Sequence, residues 1–399
     1  HYISTLFDYL KFYIDITRTL IYQFNRIILK IISILEVEMN SKFKKILSVG
    51  AIVFAAGLAL TACSGKKQGA STNKDTKHGI ALITDQNGVD DHSFNQAAWA
   101  GFKAYGKEHG LKQGKGGYQY FQSSGPSDFV PNFDQASKAG YQTIFGVGFE
   151  LQQAVSQAAK KNPKKNFVIV DSVVNGQKNV ASVTFKSNEA SYLGGLAAAY
   201  TTKTNKVGFI GGAKSAIIDL FEAGFKQGVA DGAKALHKKI TVQTQYIGNF
   251  TATDKAKSIA QSMYANKVDI IYQAAGNAGN GVFQEAKDYN QTLPADKKVW
   301  VIGVDVDQSG LGNYTAKNGK KANFTLTSVL KGLNVATKSI ADDAYNDKFP
   351  GGKHLVYGLK DNGVSITKGQ LSDKAWQAVQ KARTQILDGK IKVATKPSK

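Results

Sequence analysis

The 399-residue sequence contains little cysteine, little proline and comparatively few acidic side chains. The single cysteine, Cys63, has no partner for an intramolecular disulfide, so the folded domains must be stabilised by ordinary hydrophobic cores. Only six prolines occur, and no proline-rich linker divides the chain, so we expect a close hinge between any two domains. No P-loop signature is present, which argues against an ATPase of that class.

Basic side chains outnumber acidic ones, with 51 Lys and Arg against 30 Asp and Glu and a net charge of +21. Such an excess can indicate nucleic-acid binding. The lysines, however, are scattered in ones and twos rather than gathered in a basic arm. We interpret them as a solvated surface and expect no nucleic-acid partner. Attraction to anionic membrane or wall polymers stays open as an alternative.

The sequence around Cys63 has the order of a lipoprotein signal peptide. Basic residues follow Met39, and a short apolar stretch then leads into the small residues Thr61 and Ala62. That stretch is shorter than the roughly 20 residues that span a bilayer. We predict a signal peptide at residues 39–62, acylation of Cys63 by a palmitate-like chain, and a lipid-anchored protein on the extracytoplasmic face of the cell membrane. The alternative is a buried core cysteine.

The segments on either side of this signal need separate interpretations. Residues 1–38 contain no methionine and many large apolar side chains, so we interpret them as upstream sequence translated by mistake. An additional N-terminal helix is the alternative, because Tyr9, Phe12 and Ile16 recur at helical spacing. Residues 63–77 have almost no apolar side chain, which predicts a flexible tether.

Strand-like and helix-like segments alternate after the tether, which predicts a parallel α/β fold. The first set has predicted strands at 79–84, 118–122, 143–147, 167–170 and 180–185, with helices at 95–109, 133–139 and 151–161. The second set has predicted strands at 207–210, 241–247, 270–273, 299–304 and 324–328, with helices at 187–202, 221–237, 252–266 and 281–289. Two sets of similar size predict two similar lobes.

Three aspartates follow predicted strands in the two lobes, namely Asp85, Asp171 and Asp305. Ligands of parallel sheets bind at the carboxyl ends of the strands, where loops and helix N-termini converge. Three aspartates in equivalent places therefore predict a shared cleft between the lobes. Any one of them could instead cap the helix that follows, and that alternative stays open.

Short motifs spread from about residue 78 to the C-terminus carry a resemblance to a known family. The most specific are Gly88-Val89-Asp90-Asp91-His92-Ser93-Phe94-Asn95-Gln96 and Ile302-Gly303-Val304-Asp305-Val306-Asp307-Gln308. With Gly146-Val147-Gly148-Phe149 and Phe221-Glu222-Ala223-Gly224-Phe225 they resemble the basic membrane protein family. These are substrate-binding lipoproteins of ABC transporters, and the best-understood members are purine nucleoside receptors. His92 departs from the family pattern, in which a lysine is common.

The resemblance implies a two-lobed type I periplasmic-binding-protein fold, with parallel sheets flanked by helices and a three-stranded hinge. We assign residues 78–185 and about 329–350 to lobe 1, and residues 186–328 and about 351–395 to lobe 2. The function it implies is a solute receptor that binds nucleosides, with purines expected, between the lobes. Permease and ATPase subunits would be other chains. We expect a monomer without cofactor or metal.

A nucleoside presents a flat base and a ribose diol, so its site needs aromatic faces and charged hydrogen-bond partners. Phe94 is the predicted first aromatic face. Core packing is its alternative, because Phe94 shares a helical face with Ala98 and Phe102. Phe221, at the start of a predicted helix, and Phe250, in a loop, are both candidates for the second face. The choice between them stays open.

The polar assignments divide between base and ribose. Asp85 and Asn95 suit the base edge, because a carboxylate and an amide together can recognise ring nitrogens and exocyclic groups. Asp171 and Asp305 suit the ribose hydroxyls, with Lys331 as their cationic partner. The alternative for Lys331 is a surface lysine at the hinge.

The glycine-rich stretch from Gly276 to Gly281 matches neither the dinucleotide fingerprint nor the P-loop. We interpret it as a tight turn, with Gly276 where the backbone approaches the ligand closely. The absence of a phosphate-binding signature favours an uncharged nucleoside over a nucleotide.

An exported enzyme, a receptor for another solute and a surface protein are the alternatives to a nucleoside receptor. An exported enzyme such as a nucleoside hydrolase is not expected, because Asp90-Asp91 resembles a helix cap and the histidines are dispersed without metal-ligand spacing. A receptor for another small polar solute such as a sugar remains an alternative, since aromatic rings also stack on pyranoses. A surface sensor or adhesin with the same fold is the second remaining alternative.

Overall fold

The computed structural model describes residues 77–398. The predictions for residues 1–38, for the signal peptide and for Cys63, and nearly all of the predicted tether, lie outside the described residues. Within residues 77–398 no helix has both the length and the apolar character needed to cross a membrane.

The first lobe is built on a six-stranded parallel sheet with the order β13-β5-β4-β3-β1-β2. Its strands are β1 (Ile80–Ile83), β2 (Tyr118–Phe121), β3 (Thr143–Val147), β4 (Asn166–Val170), β5 (Val180–Phe185) and β13 (His354–Tyr357). Its helices are α1 (Phe94–Glu108), α2 (Phe129–Lys138), α3 (Gln152–Lys161) and α8 (Leu333–Tyr345). Helix α8 packs against α1.

The second lobe repeats this plan with the order β14-β12-β9-β8-β6-β7, parallel except for the pair β12 and β14. Its strands are β6 (Lys206–Gly211), β7 (Thr241–Tyr246), β8 (Ile270–Ala274), β9 (Trp300–Asp305), β12 (Thr325–Lys331) and β14 (Val364–Ile366). Its helices are α4 (Ser187–Thr201), α5 (Ala216–Ala235), α6 (Thr253–Ala265), α7 (Asn280–Gln291) and α9 (Asp373–Leu387). A small antiparallel hairpin joins β10 (Asn313–Thr315) to β11 (Lys321–Asn323).

The central strands are buried throughout and mostly apolar because helices cover both faces of each sheet. All four residues of β1 are buried, as are all five of β3 and of β8. The carboxyl ends of the parallel strands in each sheet meet at one edge, and the loops that follow them supply the functional residues described below.

The chain crosses between the lobes three times, after β5, β12 and β13. The predicted boundaries differ from these crossings. Strand β12 continues to Lys331 within the second sheet, although residues from 329 were assigned to lobe 1. Residues 354–357 pair with β5 in the first sheet, although they were assigned to lobe 2. Strand β13 is short and only half buried, so its apolar pattern is weak in sequence.

The elements predicted up to residue 328 are present in the predicted order. Helix α5 begins at Ala216, five residues before the predicted start, because Ser215 caps it by accepting a bond from the backbone N–H of Ile218 over 3.3 Å. Phe221 therefore lies in the second turn of α5 and does not open the helix. The hairpin β10–β11 and the elements after residue 331 were not predicted.

Candidate functional site

A cavity lies between the lobes, where the carboxyl ends of the strands of both sheets face each other. Eight of the nine predicted ligand-binding residues line it, with walls from both lobes: Asp85, Phe94, Asp171, Phe221, Phe250, Gly276, Asp305 and Lys331. The ninth, Asn95, is fully buried and is not among the lining residues. The site predicted from strand ends is thus brought together in space, with Asn95 behind its wall.

Asp85 follows β1 by two residues and is held by amide donors. Its Oδ1 accepts from the backbone N–H of Asn87 and from Asn95 Nδ2, both over 2.8 Å. Asn95 Nδ2 also donates to Asp91 Oδ2 over 3.1 Å. Burial raises the pKa of Asp85 to about 7, against the lowering effect of these hydrogen bonds. Asn95 therefore orients Asp85, although the prediction placed its amide at the cavity surface.

Lys331 forms a buried ion pair with Asp171 Oδ2, and its side chain is 3% exposed. The alternative of a surface lysine at the hinge is therefore wrong. The positive charge of Lys331 also acts on Asp305. Burial raises the pKa of Asp305 to about 6, while the charge of Lys331 and a hydrogen bond from Ser93 act in the opposite direction.

Asp171 and Asp305 also share an uncommon backbone conformation. Their φ angles are 63° and 65°, in the left-handed region, which few residues other than glycine adopt. Asp171 directly follows β4 and Asp305 is the last residue of β9, so the two occupy equivalent places in the two lobes. Backbone strain of this kind persists where the surrounding structure requires it and is concentrated at functional sites.

The aromatic residues differ in how far they are exposed to the cavity. Phe94, the first residue of α1, is half-buried, and Lys331 Nζ lies 4.7 Å from its ring centroid. Phe221 is 3% exposed and belongs to the main hydrophobic core. Phe250, in the loop after β7, is half-buried and meets Phe149 of the first lobe edge to face, with centroids 6.3 Å apart.

Several lining residues were missed from the sequence: Asn87, Asp91, Gly148, Phe149, Glu150, Ile217, Ile218, Ala274 and Val304. Gly148, Phe149 and Glu150 come directly after β3, so the strand-end rule would have found them had it not been restricted to aspartates. Ile217 and Ile218 lie in the first turn of α5. They were not identified because the helix was predicted to begin only at residue 221.

The charge of the cavity is opposite to that of the chain. Among the described residues, five carboxyl groups line it, from Asp85, Asp91, Glu150, Asp171 and Asp305, and Lys331 is the only lining residue with an amino group. Like charges repel more strongly in a partly dehydrated site than in water. The cavity therefore favours a neutral or cationic ligand with hydroxyl groups over an anionic one.

One cluster outside the cavity holds three possible metal ligands, Glu108, His109 and Asp342. The histidine in it looked isolated in sequence. Lys338 Nζ lies 2.6 Å from Glu108 Oε2 and 2.5 Å from Asp342 Oδ2, so a lysine already neutralises both carboxylates. The cluster is an ion-pair network that joins α1 to α8.

Residues 79–396 match the family model described as ABC transporter substrate-binding protein PnrA-like. The chain belongs to this family. It is 48% identical over 354 residues to the ABC transporter nucleoside-binding protein BmpA of Lactococcus lactis subsp. cremoris, which covers 88% of this chain and 99% of that protein. It is 42% identical over 351 residues to the CD4+ T-cell-stimulating antigen of Listeria monocytogenes, covering 87% and 97%.

Solved structures show the fold class. An ABC transporter solute-binding protein of Aeropyrum pernix matches with a TM-score of 0.68 at 23% identity, over 80% of this chain and 94% of that one. The predicted class of two parallel sheets flanked by helices, of the type I periplasmic-binding kind, is confirmed. The predicted resemblance to the basic membrane protein family is confirmed as well, so the chain is the substrate-binding component of an ABC transporter.

Proposed function

We propose that this protein is a nucleoside receptor, which binds an uncharged nucleoside, with purines preferred, between its lobes and delivers it to an ABC permease. The observation that carries the proposal is a cavity with a half-buried phenylalanine from each lobe, Phe94 and Phe250, beside the buried group of Asp171, Lys331 and Asp305. The 48% identity to a protein named as nucleoside-binding supports it.

Phe94 and Phe250 are the aromatic faces in this proposal. Phe250 is preferred to Phe221 because it is half-buried on a loop, whereas Phe221 is packed into the core. The ring of Phe250 also lies beside Gly276, the first residue of a short 3-10 helix ahead of α7. Stacking between a base and an aromatic ring contributes about 1–3 kcal/mol per base.

The ribose hydroxyls bind to Asp171 and Asp305, with Lys331 between them. A carboxylate accepts hydroxyl bonds, and charged acceptors make the stronger ones. Gly276 has a φ of 54°, which glycine adopts without steric cost, so its backbone can approach the ribose. Asp85 faces the base edge, because Asn87 and Asn95 orient its carboxyl group towards the cavity from behind.

The acidic cavity supports a nucleoside rather than a nucleotide, because a phosphate would face several carboxylates with only Lys331 to neutralise it. Ligand contacts to both lobes stabilise the closed arrangement, and the permease recognises that arrangement. The ligand is released chemically unchanged, so the protein is not an enzyme. The permease and ATPase are separate chains, and the receptor acts as a monomer.

The test is isothermal titration with adenosine, guanosine, inosine, cytidine, uridine, ribose and a nucleoside 5′-monophosphate, after unfolding and refolding to remove copurified ligand. We expect saturable binding of purine nucleosides and none of ribose or the monophosphate. Phe94→Ala and Phe250→Ala should each weaken binding about five- to a hundredfold. Phe121→Ala, on the edge strand β2 and outside the cavity, is the matched control. Binding of sugars without nucleosides would reject the proposal.

We also propose that Cys63 is acylated and anchors the protein to the extracytoplasmic face of the cell membrane, with residues 1–62 absent from the mature protein. A lipid chain contributes membrane affinity that the polar tether cannot. We expect Cys63→Ala to move the protein from the membrane fraction to the soluble fraction and to abolish incorporation of a labelled fatty acid. Ser64→Ala is the control. A membrane-bound Cys63→Ala protein would show that anchoring has another origin.

A further inference from the structure

A short turn of the first lobe, residues 91–93, is hydrogen-bonded directly to the second lobe. Asn280 Nδ2 on α7 donates to the backbone carbonyl of Asp91 over 3.2 Å. Gln308 Nε2, in the loop after β9, donates to the backbone carbonyl of His92 over 2.9 Å. These bonds join protein atoms only, so they stabilise the closed arrangement independently of the contacts that a ligand makes.

The Gln308 side chain is prepared for this contact. Its Oε1 accepts from the backbone N–H of Val304 and from Gln273 Nε2, both over 2.9 Å. The residue is 3% exposed. Because both acceptor positions of its oxygen are used, the orientation of the amide is determined and Nε2 points to the first lobe.

The turn is equally constrained on its own side. The Asp91 carboxylate accepts from the backbone N–H groups of Ser93, Asn95 and Gln96 over 2.9, 2.8 and 3.0 Å. It therefore caps the N-terminus of α1, as the sequence suggested. His92 has a φ of 56°, and this left-handed residue turns its carbonyl towards Gln308.

A third bond connects the same turn to the ligand cavity. Ser93 Oγ donates to Asp305 Oδ2 over 2.5 Å, and Ser93 is fully buried. Ser93 belongs to the first lobe and Asp305 to the second. The carboxylate that faces the ligand is therefore oriented by a hydroxyl group from the opposite lobe, and this bond exists only while the lobes are closed.

We propose that Ser93 is a positioning residue for ligand binding, which couples closure of the lobes to the orientation of Asp305, while Asn280 and Gln308 hold the turn in place. We call these three contacts of residues 91–93 the interlobe clasp. The effect on ligand affinity rests on the proposed nucleoside function, whereas the effect on lobe closure does not.

The Ser93 hydroxyl also acts on the charge of Asp305. The groups that face this carboxylate from the surrounding elements are Lys331, Asp91, Asp171 and Tyr272. Burial raises the pKa of Asp305 to about 6, and the bond from Ser93 acts against that rise. The ionised carboxylate is the stronger acceptor of hydroxyl bonds, so its contribution to affinity is present above this pKa and is lost as the pH falls through it. Without the hydroxyl, the loss begins at a higher pH.

The first test compares Ser93→Ala with the wild type in titrations with guanosine and adenosine between pH 5 and 8. We expect an affinity about ten- to a hundredfold lower, mainly through faster dissociation. We also expect the loss of affinity with falling pH to begin at a higher pH than in the wild type. Ser123→Ala is the matched control, because it also deletes a buried serine hydroxyl, whose partner Asn132 lies in the same lobe. If Ser93→Ala binds with wild-type affinity and loses affinity at the same pH as the wild type, the positioning role is wrong.

A second test measures closure without ligand. Spin labels are attached to two cysteines, which replace the exposed residues Ser127 in the first lobe and Asp254 in the second. Cys63 is replaced by serine so that it takes no label. We expect Ser93→Ala and Asn280→Ala each to lengthen the distance between the two spin labels in the unliganded protein. Asn280 is not among the cavity-lining residues, so Asn280→Ala keeps the test valid if Ser93→Ala does not fold.

The two tests separate the two proposals. If the wild type binds no nucleoside but the distances lengthen in both variants, the nucleoside function fails and the clasp stands. If the wild type binds nucleosides and the distances in both variants equal those of the wild type, the clasp is rejected and the function stands.

Discussion

Replacing Asp305 by alanine is expected to weaken nucleoside binding by at least about thirtyfold. The carboxylate is 7% exposed, lies near Lys331 and accepts a bond from Ser93. Its removal takes away a charged acceptor for the ribose and leaves a buried lysine with one carboxylate fewer. Truncating one partner of a buried, hydrogen-bonded charge pair costs about 2–5 kcal/mol, and each 1.4 kcal/mol is about tenfold in affinity.

Titration calorimetry with guanosine and adenosine measures this effect. Asp307→Ala is the matched control, because Asp307 is an exposed aspartate two residues further along the same loop, and it should leave the affinity unchanged. Asp305→Asn keeps the shape but not the charge, so its affinity should be low. The contribution to the pH dependence near 6, where the wild-type carboxyl group of Asp305 gains its proton, should be absent from it. Binding of Asp305→Ala within about threefold of the wild type would remove Asp305 from the site.

Gly228→Ala is expected to destabilise the second lobe by about 3 kcal/mol. Helices α4 and α5 pack so closely that a Cβ at Gly228 would lie 2.0 Å from the carbonyl oxygen of Tyr192 and 2.9 Å from the backbone nitrogen of Leu196. Both atoms are backbone, so the helices themselves must separate. In an uncrowded helix the same change would instead stabilise by up to about 1 kcal/mol.

Urea unfolding followed by circular dichroism measures the loss as a lower midpoint. Gly310→Ala is the control, because among the described residues no heavy atom beyond Gly310 and its two chain neighbours lies within 4 Å of the position that its Cβ would take. We expect no measurable shift. Gly195→Ala, on the facing helix, would place a Cβ 2.1 Å from the carbonyl oxygen of Phe225 and should act in the same direction. Unchanged midpoints for Gly228→Ala and Gly195→Ala would contradict the close approach of α4 and α5.

The apolar strands could be read from the sequence because each is a continuous run that helices cover on both faces. Their carboxyl ends then located Asp85, Asp171 and Asp305 without further information. The edge strand β13 was not found, because two of its four residues are exposed and two are half-buried, so it forms no buried apolar run. The start of α5 was placed too late, since the Ser215 cap precedes the apolar stretch from which the helix was predicted.

Contacts between segments far apart in the chain could not be derived in this way. Nothing in local sequence indicates that Ser93 reaches Asp305 in the other lobe, or that Asn95 lies behind Asp85. The choice between Phe221 and Phe250 was left open for the same reason. It depends on burial, and burial is set by what packs over a residue from elsewhere in the chain.

By itself the sequence determined the α/β class, the two lobes, the family resemblance and the strand ends at which a ligand site would form, because periodicity and motifs are local properties of the chain. Only the tertiary structure decided which side chains share the cavity, the left-handed backbone at Asp171 and Asp305, the burial of Lys331 and the contacts between the lobes. These features depend on how two sheets close on each other, and that closure is the sum of long-range contacts that no single segment encodes.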